Sequence, residues 1–93
     1  MKRKFDGYNI DVCNRELVRH PDGSITLKVV LLGNIEIGLE IDEWTWRGDW
    51  LLKLFFKDNY TNYRIKNVQN NLSWNSETKM ESNYVIAEVR EWR

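Results

Sequence analysis

The sequence predicts a mainly β fold: a small antiparallel meander barrel or sandwich of five to seven strands, with room for one short helix. Three observations predict it. Apolar and polar residues alternate with a period of two in several stretches. Turn signals built from Gly, Pro, Asn and Asp recur between those stretches. The composition is also strand-like. A single Ala (Ala87) and a single Pro (Pro21) stand against ten Asn and seven Ile. Scarce Ala with abundant β-branched and aromatic residues disfavours helix.

Each element follows in order. Tyr8, Ile10 and Val12 alternate with polar neighbours, as on a half-buried strand. Asn14–His20 fits either a short helix or a continued strand. Pro21-Asp22-Gly23-Ser24 is a turn, since Pro presets φ and Asp and Gly tolerate the positions that follow. Ile25–Leu32 reads as a strand, and Gly33-Asn34 as another turn. Ile35, Ile37, Leu39 and Ile41 share one face of a strand, with Glu36, Gly38 and Glu40 on the other. Trp50–Lys57 reads as the next strand, with Arg47-Gly48-Asp49 as the hairpin tip between them. A β-bulge at Asp42-Glu43 brings Trp44 and Trp46 onto the inward face with Trp50, Leu52, Leu54 and Phe56. Asp58-Asn59 is a turn and Tyr60–Gln69 a strand. Asn70-Asn71 and the polar stretch Ser73–Ser82 read as a loop. In the tail, Val85, Ala87 and Val89 favour a strand, while Met80, Tyr84 and Ala87 also match helical spacing behind a Thr78/Glu81 capping box.

The chain of 93 residues predicts a single domain, 1–93, able to bury one core without staples. Apolar content of 42% places it outside the disordered range. No apolar run reaches the length of a membrane span. Met1-Lys2-Arg3-Lys4-Phe5 is basic, but Asp6-Gly7 follows it instead of an apolar stretch, against a secretory signal. A cytoplasmic location is therefore expected. The lone Cys13 excludes an internal disulfide. The 14 basic and 14 acidic side chains cancel, which weakens any bulk electrostatic claim on nucleic acid or an anionic membrane. The Asn-rich, Ala-poor bias fits an AT-rich coding sequence, as in many bacteria and their phages.

No pattern calls for catalysis. His20 and Cys13 are the only residues of their types, and nothing flanking them marks a nucleophile and base. Two such ligands cannot build a structural zinc site. Glu40, Asp42, Glu43 and Asp49 could gather around a hard cation, but solvation or pairing with Lys53 and Lys57 is the simpler reading. Pro21-Asp22 with Glu77-Thr78-Lys79 superficially echoes a metal-nuclease pattern, yet the second half lies in a polar stretch. Phosphate-loop, nucleophile-elbow and dinucleotide signatures are missing. Arg47-Gly48-Asp49 matches an integrin-recognition tripeptide. Asn59-Tyr60-Thr61 and Asn71-Leu72-Ser73 match glycosylation acceptors. Both kinds of match matter only in a secreted chain. No catalytic residue, metal or cofactor is expected.

The aromatic and basic residues remain. On a Trp50–Lys57 strand, Leu51 and Phe55 would face outward beside Lys53 and Lys57, so that second face needs a cover. This motivates a small non-enzymatic protein-binding domain, an inhibitor or adaptor of the kind that phages and mobile elements encode. Its partner-binding candidates are Leu51, Lys53, Phe55, Lys57, Tyr60 and Arg64. The alternative is a single-stranded nucleic-acid-binding domain of OB-like architecture. There Tyr60 and Tyr63 would stack on bases, while Arg64, Lys66 and the Lys2-Arg3-Lys4 arm track phosphates. A homodimer is compatible with either reading.

Overall fold

A computed structural model describes residues 2–5, 8–33, 40–44 and 46–92, with the main chain alone at 2–5, 8–9 and 46. Strands β1 (Lys2–Phe5), β2 (Tyr8–Arg19) and β3 (Ser24–Gly33) come first. Helix α1 (Trp46–Phe56) and a 3₁₀ segment (Lys57–Asn62) follow. Strands β4 (Tyr63–Asn75) and β5 (Met80–Glu91) complete the order. All the strands lie antiparallel to their neighbours in one sheet, ordered β1-β2-β3-β5-β4. Four are long, and β1 is a short addition at one edge. Among the described residues the chain is therefore mainly β with one short α-helix.

The hairpins arise from local chemistry. At the β2–β3 turn, Gly23 adopts φ +92°, open to Gly at no steric cost. The Asp22 carboxylate accepts from the Ser24 amide at 2.9 Å and from its hydroxyl at 2.6 Å. These Ser24 bonds hold the exposed Asp22 carboxyl below its usual value, with help from the Arg90 guanidinium 3.8 Å away. The β4–β5 turn is tied by the Asn75 side-chain oxygen, which accepts from the amides of Glu77 and Thr78. The expected loop Ser73–Ser82 is thus mostly hairpin. The strand favoured for the tail is the one that forms.

Alternation decides the core. Ile25, Leu27, Val29 and Leu31 on β3 face Val89, Ala87, Val85 and Asn83 on β5, and all eight are buried. On β2, Ile10 and Val12 point inward before a bulge and Leu17 after it. Asn14 and Arg15 together oppose Val29, with Asn14 at φ 49°. That irregularity underlies the sequence ambiguity at Asn14–His20: the stretch is a strand whose phase changes once.

The segment 46–56 corrects the predicted hairpin. It is a helix, and Arg47-Gly48-Asp49 is its first turn. Gly48, Leu51, Leu52 and Phe55 recur at i, i+3, i+4 and i+7, the spacing of one helical face. Gly48, Leu51 and Leu52 are buried on it, and Phe55 packs partly buried against the core. An almost uninterrupted apolar run satisfies both periods, and two-fold alternation was the wrong choice. Asp49 in the first turn favours the helix dipole. At the other end Arg15 donates to the Leu54 carbonyl at 3.2 Å, satisfying an open helical acceptor. Trp44 is 87% exposed and not inward-facing. The predicted strand Ile35–Ile41 falls largely on residues 34–39, outside the described residues. Ile41 itself is buried but not in a strand.

The predicted barrel or sandwich gives way to an open sheet because α1 covers the core face where a second sheet was expected. The meander also breaks. After β3 the chain crosses through α1 to the far edge as β4, and β5 returns between them. Asn70 of β4 anchors this crossover. Its side-chain oxygen accepts from the Ile41 amide at 3.0 Å, and its nitrogen donates to the Ile41 carbonyl at 2.8 Å. Buried Asn83 donates to the same Asn70 oxygen at 2.9 Å. No helix among the described residues is long and apolar enough to cross a membrane.

Candidate functional site

Helix α1 packs on one face of the sheet, and no described element covers the opposite face. The register builds it row by row. Cys13, Val30, Tyr84 and Asn71 lie side by side across β2, β3, β5 and β4. On one side of them run Asp11, Leu32, Ser82 and Ser73. On the other run Glu16, Lys28, Ile86 and Gln69. Val18, Thr26, Glu88 and Asn67 form the next row. Val18, Val30, Leu32 and Ile86 are half-buried, and Tyr84 is 41% exposed. The centre is therefore apolar. Its charges carry both signs: Lys28 sits directly opposite Glu16, and Arg90 reaches Asp22.

The residues predicted to bind a partner lie elsewhere. Leu51 is fully buried in the core, which removes it as a surface candidate. Phe55 is half-buried against that core. Lys53 and Lys57 are exposed, Lys57 at φ 52° where the helix gives way to the 3₁₀ segment. Lys53 and Tyr60 do meet, with Nζ 4.8 Å from the ring centroid. Arg64 is exposed and lies over the Trp92 ring at 3.7 Å. Tyr60 and Arg64 share a shallow hollow of about 310 Å³ with Glu43 and Asp49. Tyr63, offered as a stacking platform, is instead stacked on Phe56 at 3.7 Å.

The candidate nucleophile and base are not brought together. Cys13 lies within β2 and His20 just past its end, seven positions on, about 20 Å by strand rise. His20 Nε2 is 2.6 Å from the Thr26 hydroxyl. No group of three or more metal-binding side chains converges among the described residues. Residues on the open face were missed as candidates, although Val29-Val30-Leu31-Leu32 placed apolar groups on both sides of β3 from the start.

Glu81 is the buried acid of the opposite face. It sits between Gly33 and Trp74 in register, only 6% exposed. No hydrogen-bond donor meets its Oε2 among the described residues. Burial pushes its carboxyl above the usual value. The folded state therefore holds the proton more tightly than the unfolded chain. Its contribution is favourable below the unfolded value near 4.5 and is lost as pH rises through the folded value. Glu81→Gln is expected to stabilise the protein by on the order of 1 kcal/mol at pH 7, and not at pH 4. Urea midpoints of both proteins across that range check this; a pH-independent difference would exclude a titrating Glu81.

Together these features define a two-layer domain: an open antiparallel sheet with one helix on one face and a mixed apolar surface on the other. No protein-family model, curated protein or solved structure matches the chain.

Proposed function

We propose that this chain is a non-enzymatic protein-binding domain, acting as an inhibitor or adaptor through the open face of its sheet. The observation that carries this reading is the apolar centre formed by Val30, Leu32, Tyr84 and Ile86 on a face that no described element covers. An apolar centre with a polar rim is the anatomy of a protein interface. The interspersed acids count against phosphate backbones, which favour one sign of charge.

A single-stranded nucleic-acid reading has its own observation. Lys53 over Tyr60 and Arg64 over Trp92 place cations against aromatic faces at one end of the molecule. Those rings are already covered by the chain's own cations, so a base would have to displace them.

Affinity capture from lysate separates the two, using wild type and Ile86→Lys with nuclease and high-salt arms. A discrete protein kept by wild type in high salt after nuclease, and lost with Ile86→Lys, is the expected result. Recovery of nucleic acid alone, released by salt and lost with Arg64→Ala, would replace this reading with the second.

A further inference from the structure

Among the described residues, strand β4 lies at the sheet edge and pairs with β5 alone. Among the described residues no other main chain hydrogen-bonds to its outer side. Edge strands are usually guarded by charges, Pro, bulges or brevity, because their free N–H and C=O groups template further pairing. β4 concentrates its guards at its beginning: Arg64, Lys66 and the bulge between Ile65 and Asn67. From Asn67 to Asn75 it has neither charge nor Pro, in a chain that is 30% charged. Leu72 and Trp74 lie opposite buried Asn83 and Glu81, hence on the core side, yet are 40% and 45% exposed.

We propose that β4 pairs antiparallel with β4 of a second copy, across a two-fold axis near Asn71, joining the two sheets into one. The sequence of the edge selects a copy of itself as occupant. With Asn71 on the axis, Leu72 comes beside Asn70 of the second copy, and Trp74 beside its Val68. Gln69 then meets Ser73, and no like charges oppose each other along the uncharged stretch. At each outer end, Glu77 at the start of the β4–β5 turn arrives near Arg64 and Lys66 of the other copy, while Lys79 of that turn lies farther along, next to β5, so the nearer charge is the attractive one, twice by symmetry. A net charge of zero removes long-range repulsion between copies. This pairing leaves the open face free and is independent of what that face binds.

Sedimentation velocity from low to high micromolar protein tests it. Wild type is expected to shift from the 11.2 kDa monomer to a species of twice that mass. Asn71→Lys and Asn71→Glu each place like charges across the axis and should weaken association at least about tenfold. Mixing the two variants should restore it, because Lys then faces Glu. The Asn71 side chain is exposed and makes one bond, to the Tyr84 carbonyl at 3.2 Å, so both variants should keep their fold by circular dichroism. A wild type that stays monomeric overturns the proposal. So does association that ignores both variants or is not restored by mixing them. Dimerisation abolished by Ile86→Lys but not at Asn71 would assign it to the open face instead.

Discussion

Leu51→Ala is expected to lower the unfolding free energy by about 2–5 kcal/mol, the range for truncating a buried leucine. Leu51 is fully buried where α1 meets the sheet, and Leu52 and Leu54 beside it in the helix are also buried. Removing its side chain costs transfer free energy and leaves a cavity that the rigid β3–β5 centre cannot collapse to fill. Each kcal/mol lost should lower Tm by roughly 4–8 °C in a domain of this size. Lys53→Ala, two residues away and exposed, should stay within about 0.5 kcal/mol of wild type. Thermal and urea melts of the pair distinguish a core position from a contact surface. If Leu51→Ala kept full stability and lost a partner instead, the burial of α1 would be wrong.

Gly48→Ala is expected to run against the ordinary helix rule. Inside a helix Ala normally gains about 1 kcal/mol over Gly. Here a Cβ at position 48 would stand 2.5 Å from the Asp42 carbonyl oxygen, with Glu43 Cα and Ile65 Cδ1 each at 3.4 Å. The nearest obstacle is main chain, so relief requires α1 to lift or the 42–43 segment to shift. Overpacking of this kind costs roughly 1–3 kcal/mol, enough to reverse the sign. Gly48→Val, with a larger side chain, should cost more. Urea midpoints for both variants decide it. A stabilised Gly48→Ala would mean that the helix does not approach the crossover this closely.

The sequence made the strands legible wherever one face met solvent. Ile25–Leu32 and the tail around Val85, Ala87 and Val89 were read correctly because their alternation reports a buried and an open side. Pro21-Asp22-Gly23-Ser24 was legible because its turn is specified locally by φ and by side-chain bonds. The helix was not. Trp50 to Phe56 is apolar at nearly every position but Lys53, and a run of that kind has no dominant period. The Arg47-Gly48-Asp49 turn signal favours a hairpin strand there, whereas packing against the sheet selects helix. The candidate site suffered from the same error. Leu51 and Phe55 were assigned outward from a strand alternation that does not exist there. Tyr60 and Arg64 remain partly or fully accessible because they sit beyond the helix. The open face could not be located without the strand order, since nothing in the sequence announces that β5 inserts between β3 and β4.

That insertion also governs how the protein can be made. As the ribosome advances, β1, β2 and β3 can assemble as successive hairpins, but β4 emerges with no neighbour to hold it. Its place in the sheet exists only after residue 91 has been added and β5 has threaded between two strands already synthesised. Pairing β5 with β4 is a local hairpin, but pairing it with β3 closes distant contacts at an entropy cost that local hairpins avoid, which slows that step. Until then the uncharged stretch Asn67–Asn75 and the unmatched side of β3 are both open to foreign strands. A slow-translating segment or a stall before β5 would prolong that exposure, so the nascent chain is most vulnerable to aggregation between the emergence of β4 and that of β5.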